Sequence, residues 1–105
     1  MKILLIDDVK RPEDFGFDKR AMTIARTVDE GISMLRKFIW YAVYLDHDFG
    51  VGSTKTGYDV LDWLSNNAAC IPEKIYCISN HSDHAKKMNQ MCTALMAMRK
   101  RYEPS

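Results

Sequence analysis

Two acidic clusters, Asp7-Asp8 and Asp46-His47-Asp48, have the residue types and spacing to do chemistry. Each follows directly on a short apolar run, Ile3–Ile6 in one case and Tyr41–Leu45 in the other. An acidic pair after a strand is by itself a common turn or cap. Several carboxylates brought to one place are more specific. Two unit charges about 4 Å apart repel by roughly 4 kcal/mol at an effective dielectric near 20. A fold that gathers such charges needs a cation or shared protons to compensate them. Oxygen ligands suit Mg²⁺ or Mn²⁺. The sequence therefore predicts a divalent-metal site with Asp8 and Asp46 as direct ligands and Asp7 and Asp48 in support. Zinc fits less well, because no cysteine lies near the acids and the carboxylate count favours a harder ion.

The neighbouring polar residues admit two readings each. If its strand continues, His47 faces opposite to Asp46 and Asp48 and packs; the glycines just after it equally allow a turn into the pocket. His81 and His84 have i, i+3 spacing at a helix start. They are either a solvated helix terminus or a general acid/base or phosphate contact, since imidazole titrates near neutrality. Thr56-Gly57 opens a helix whose first amides can face an anion, the plain cap being the simpler alternative. Lys10, Arg11 and Lys55 flank the acidic tips, where they can neutralise a phosphate or merely solvate loops. Ser79 and Asn80 close the fourth apolar run and would reach the same rim.

These side chains must be positioned by alternating strands and helices. Ile3–Ile6 reads as a strand buried on both faces. Residues 22–26, 41–45 and 74–79 are the further strands. Thr27, with Glu30 three residues on, makes a capping box for a helix carrying Val28, Ile32, Leu35 and Phe38-Ile39. Thr56 caps a second helix with Val60, Leu61, Leu64 and Ala68 on its apolar side. Ser82 or Asp83 can cap a long last helix with Ala85, Met88, Cys92, Leu95 and Met96 together; the tail is expected to fray from about residue 99. The alternation predicts an α/β fold with a mainly parallel sheet and right-handed crossovers. A compact three-layer, flavodoxin-like domain of about four strands, ordered 2-1-3-4, makes the two acidic tips neighbours at the carboxyl edge, where ligands bind. Only fourteen residues separate Asp8 from Thr23, so the first crossover has room for no more than a short or irregular helix.

Composition sets the outer bounds. A chain of 105 residues reads as a single domain spanning 1–105. It is 47% hydrophobic and 28% charged, which argues against disorder. Its net charge of +1 argues against a protein that coats nucleic acid, so general DNA binding is not expected. No apolar run approaches the roughly 20 residues of a membrane span, and no membrane partner is expected. Three scattered cysteines, Cys70, Cys77 and Cys92, suit a reduced, cytoplasmic protein. Phe38, Trp40, Tyr41 and the Met-rich last helix serve either as core or as a partner surface, leaving the oligomeric state open.

An acidic pair after strand one and an aspartate after strand three resemble a two-component receiver domain, in which those acids bind Mg²⁺ and the strand-three aspartate accepts a phosphoryl group. The chain is shorter than that pattern by about one β-α unit and lacks the fifth strand that ends in the family's lysine. It is more similar to the cyclic-phosphate-processing receiver domains. The matching segments are Ile6-Asp7-Asp8 with Arg11-Pro12, Arg26-Thr27-Val28-Asp29-Glu30, Leu45-Asp46-His47-Asp48-Phe49-Gly50, and Thr56-Gly57-Tyr58-Asp59-Val60 with Trp63-Leu64. Members often carry a histidine at the end of the fourth strand; here Ile78 precedes Ser79, with Asn80 and His81 following. The resemblance implies a Mg²⁺- or Mn²⁺-dependent phosphoesterase acting on a cyclic phosphate of a nucleotide, a cyclic oligonucleotide or an RNA end. Asp46, His47, Asp48 and His81 would then be catalytic. Asp7, Asp8, Asp46 and Asp48 would hold the metal, and Lys10, Arg11, Thr56, Gly57, Ser79 and Asn80 would bind phosphate. The alternative is a non-catalytic module that binds a nucleotide or protein partner, or accepts phosphate on Asp46.

Overall fold

Four apolar runs form the strands β1 (Ile3–Ile6), β2 (Thr23–Ala25), β3 (Ala42–Leu45) and β4 (Lys74–Cys77). They make one parallel sheet in the order β2-β1-β3-β4, as the sequence predicts. The helices are α1 (Val28–Lys37), α2 (Gly57–Ser65) and α3 (Ser82–Tyr102). The structure is a computed structural model that describes residues 2–50, 52–78 and 82–102, with Ser82, Asp83 and Tyr102 described by their backbone alone. Among the described residues, no helix is long and apolar enough to cross a membrane.

The two faces of the sheet are covered unequally. Leu4, Ile6, Val43, Leu45 and Ile75 point to one face, where they join Val28 and Leu35 of α1, Val60, Leu61 and Leu64 of α2, and Met88, Cys92 and Leu95 of α3 in one buried cluster. Strand residues alternate sides, so Leu5, Tyr44 and Tyr76 point the other way. There the cover is the β1–β2 connection, whose only helical part is a 3-10 turn at Pro12–Phe15. Phe15 and Phe17 from this segment pack on Tyr44 with ring centroids 5.2 and 5.8 Å away, and Tyr44 in turn packs on Tyr76 at 4.9 Å. The third layer is thus present but thin, as so short a crossover requires.

Local chemistry sets the helix limits. The Thr27 hydroxyl accepts from the Glu30 amide, and the Glu30 carboxylate reaches past the cap to accept from the Arg26 amide. That bond ties the start of α1 to the end of β2. The C-terminus differs from the sequence expectation. Phe38 is an extended cap and Ile39 is 81% exposed, so neither belongs to the apolar face of α1. Trp40 is buried instead, and its indole N–H donates to the Met34 carbonyl, which also accepts from the Phe38 amide at the end of α1. At the other end of the chain, α3 continues through residue 99 rather than fraying, because Arg99 donates from Nε to the Ile71 carbonyl.

One contact constrains the whole carboxyl edge. A Cβ on Gly57 would lie 2.3 Å from the Asp46 carbonyl oxygen and 2.8 Å from Met88 Cε. Only glycine lets α2 start this close to the tip of β3. Gly31 is also crowded, but its neighbours at 2.8 and 2.9 Å are the ends of the Ile6 side chain, which can shift. Gly57→Ala is therefore expected to lose stability on the order of 1–3 kcal/mol in urea unfolding, and Gly31→Ala clearly less, since alanine also raises helix propensity. Equal losses would show that the approach of α2 to Asp46 is not the tighter constraint.

Candidate functional site

The parallel ladder continues one step beyond the strands, and this step builds the site. Ile6, Leu45 and Cys77 are in register. The next hydrogen bonds run from the Asp7 amide to Ala25, from Asp46 to Ile6 and from Ile78 to Leu45, at 3.1, 3.0 and 2.9 Å. Asp7, Asp46 and Ile78 thereby form the next row at the carboxyl edge. In that row, oxygens of Asp7, Asp8 and Asp46 all lie within 4.8 Å of one another. The two acidic tips that are 38 residues apart in sequence share one place in space, as an order of 2-1-3-4 requires.

Asp7 is fully buried. Its Oδ1 accepts from the amides of Val9 and Lys10 at 2.9 and 3.0 Å, which turns the loop away from the strand. Its Oδ2 has no hydrogen-bond partner. A buried carboxylate oxygen left this way is costly unless a ligand completes it. Asp46 is half-buried, and burial is the main force raising its pKa above the ordinary value of 3.8. The charges of Asp7 and Asp8 push the same way, while the His47 amide and the Lys10 ammonium pull it back. The chemistry of the group, three close carboxylates with one unfilled buried oxygen, fits a hard divalent cation.

Two basic residues brace the acidic loop. Lys10 donates from Nζ to the Ile78 carbonyl at 3.0 Å, spanning from the β1 loop to the end of β4. Arg26 donates from Nη1 to the carbonyls of Asp7 and Lys10, at 3.2 and 2.5 Å. Arg26 was not singled out for the site; its place one residue past β2, beside Asp7 in register, is the signal that could have found it. Gly50 (φ +91°) brings the loop after β3 against Asp8, whose Oδ2 would lie 3.2 Å from a Cβ there.

Asp48 and His47 form a separate arrangement. The Asp48 carboxylate lies outside the three-acid group and accepts from His47 Nδ1 at 2.8 Å. His47 is buried and stacks on His84 of α3, centroids 3.9 Å apart and planes 9° from parallel. Tyr58 of α2 meets the edge of this pair, its hydroxyl 3.4 Å from His84 Nδ1. His47 is thus a packed histidine with a carboxylate partner, held between two helices. The contribution of Tyr58 was not legible, and the i, i+3 spacing to His81 gave no hint that His84 pairs with His47.

The remaining candidates divide. Thr56 is a cap whose hydroxyl accepts from the Tyr58 amide, and the Gly57 amide donates to the His47 carbonyl at 2.9 Å. These first amides of α2 bond inside the protein, which matches the plain-cap reading of Thr56-Gly57. The Arg11 side chain is exposed, and its amide donates to Asp14. Lys55 pairs with Asp29 on the surface at 2.5 Å. Ser79, Asn80 and His81 lie outside the described residues.

The raised pKa of Asp46 carries a pH dependence. The folded protein holds that proton more tightly than the unfolded chain, so stability is lost as pH rises from 3.8 through the folded value. In chelator-treated protein, Asp46→Asn is expected to be more stable than the parent near neutral pH. The difference should vanish below the ordinary aspartate value. Urea midpoints across that range decide it, and a parent as stable as the variant at neutrality would contradict the crowding of charge at this tip.

No curated protein and no solved structure gives a match to the chain. A family model for the cyclic-phosphate processing receiver domain matches residues 2–97. That span takes in the whole sheet, both acidic tips and the His47–His84 stack. By sequence match and by its four-stranded 2-1-3-4 sheet, the chain belongs to the cyclic-phosphate processing receiver domains.

Proposed function

We propose that the protein is a divalent-metal-dependent phosphoesterase that opens a cyclic phosphate on a nucleotide, a cyclic oligonucleotide or an RNA end. The observation that carries this reading is the convergence of Asp7, Asp8 and Asp46 around the unpartnered Oδ2 of Asp7. These three residues would hold Mg²⁺ or Mn²⁺. A cation bound there supplies Lewis-acid polarisation of a phosphoryl oxygen and makes water more acidic.

The chain's own groups supply the rest. Lys10 holds an ammonium beside the Asp46 tip, where it attracts a phosphate and offsets part of the carboxylate charge. The Asp48 carboxylate bonds His47 Nδ1 and so orients the ring, with Nε2 as the nitrogen facing away from it. His84 and Tyr58 hold that ring in place from two helices. Beside Arg26, an open groove of about 330 Å³ lined by Thr27, Phe49, Ser53 and Lys55 offers room for the rest of a nucleotide.

A second reading is favoured by the position of Asp46 at the tip of β3. There the carboxylate itself can accept a phosphoryl group without turnover. Stoichiometry separates the two. Incubation with 2′,3′-cyclic nucleotides, cyclic dinucleotides and RNA with a cyclic end, with and without Mn²⁺, is expected to give metal-dependent ring opening. Asp8→Asn and Asp46→Asn should lower it by roughly 100-fold or more. A lasting mass increase of one phosphoryl group on Asp46 after treatment with an acyl phosphate, with no ring opening, would favour the acceptor.

Metal binding is tested apart from activity. Mn²⁺ is expected to raise the melting temperature of the parent by preferential binding to the folded state. It should not do so for Asp46→Asn. An equal shift in both proteins would remove the three acids as the metal site.

A further inference from the structure

Outside the acidic site, two sulfurs face each other. Cys77, the last residue of β4, and Cys92 of α3 place their Sγ atoms 2.7 Å apart, and both are free thiols. We propose that Cys77 and Cys92 are a peroxide-responsive thiol pair that closes into an intramolecular disulfide between β4 and α3.

The two partners differ in the way such chemistry requires. Cys77 is partly exposed, whereas Cys92 is buried in the core beside Met88 and Leu95. The hydrogen bond the two sulfurs share holds the Cys77 thiol below its usual range. The same bond, with burial, pushes Cys92 up. Cys77 is therefore the more acidic thiol and the one open to solvent, and Cys92 the thiol packed behind it. A buried cysteine packed as a small hydrophobe has neither property.

The step balances. The Cys77 thiolate attacks one oxygen of a hydroperoxide, the O–O bond breaks, and the departing oxygen leaves as water (or, from an organic hydroperoxide, as the alcohol), giving a sulfenic acid. The Cys92 sulfur then attacks the Cys77 sulfur, the S–O bond breaks, and the hydroxyl leaves as water with the Cys92 proton. Two thiols are oxidised to one disulfide, and one hydrogen peroxide is reduced to two waters. From 2.7 Å, a disulfide bond of about 2.0 Å is a small further approach of the two sulfurs.

The link would join two supports of the carboxyl edge. Cys77 precedes Ile78, whose carbonyl holds Lys10, and α3 carries His84, which stacks on His47. The pair itself touches none of the three acids, so the chemistry can be tested whatever the fate of the phosphoesterase reading.

The reduced chain, freed of reductant, is treated with hydrogen peroxide; thiols are counted after denaturation and linked peptides mapped. Thiols are expected to fall from three to one, with a single Cys77–Cys92 linked peptide, Cys70 still open to alkylation, and reversal by dithiothreitol. Cys92→Ala should instead accumulate a sulfenic acid at Cys77 that a dimedone-type reagent traps. Three surviving thiols, oxygen added to Cys77 of the parent without a link, or a link through Cys70 would each overturn the proposal. The mapping on the parent decides the matter even if the variant fails to fold.

Discussion

Repulsion among Asp7, Asp8 and Asp46 is the constraint that the carboxyl edge is built to withstand. Three carboxylates within 4.8 Å are an unfavourable arrangement for a small domain. The fold holds them there by extending the β-ladder one residue past each strand, so that backbone hydrogen bonds, not the side chains, set their positions. Each acid is then answered separately. Asp7 accepts two amides of its own loop, Arg26 clamps that loop by two carbonyls, and Lys10 crosses the edge to Ile78. What these bonds leave unsatisfied is the Asp7 Oδ2 atom and an excess of negative charge. A divalent cation bound at the three acids would meet both.

The uneven sheet follows from the short first crossover. A full helix between β1 and β2 would cover the second face; here Phe15, Phe17 and the 3-10 turn do so through the Tyr44–Tyr76 stack. Burial is correspondingly concentrated on the helical face, where α1, α2 and α3 share a single core with Leu4, Ile6, Val43 and Leu45. That concentration also keeps the helix starts near the strand tips. Gly57 approaches the Asp46 carbonyl, and Met88 of α3 packs on the same spot, so a side chain there would meet both. Helix packing and site geometry are thus one problem at this edge.

The strands and their order were legible because apolar runs of four or five residues ending in aspartate have few alternatives, and because strand–helix alternation restricts the topology. Asp7, Asp8 and Asp46 were legible as a group for the same reason. The sequence misled where a local pattern competed with tertiary packing. Phe38 and Ile39 continue the helical period of α1, yet Trp40 takes the buried place and the helix stops. Thr56-Gly57 has the form of an anion-binding helix start, but those amides are consumed by His47 and Thr56. The His47–His84 stack joins residues 37 apart on elements whose relative placement no spacing rule supplies.

Receiver domains of the two-component type place a lysine on a fifth strand; among the described residues this sheet has four. The positive charge arrives from the opposite direction. Lys10 leaves the loop after β1, passes the β3 tip and docks on the Ile78 carbonyl just beyond β4. Its ammonium therefore reaches Asp46 from the side of the sheet that the acidic pair occupies, and lowers the carboxyl pKa that burial and Asp7 raise. On the other flank, α3 places His84 on His47. A shortened sheet can then keep a receiver-like acidic centre while changing which groups surround it. Among the described residues an imidazole pair and a basic loop, not a strand-borne lysine, then surround that centre.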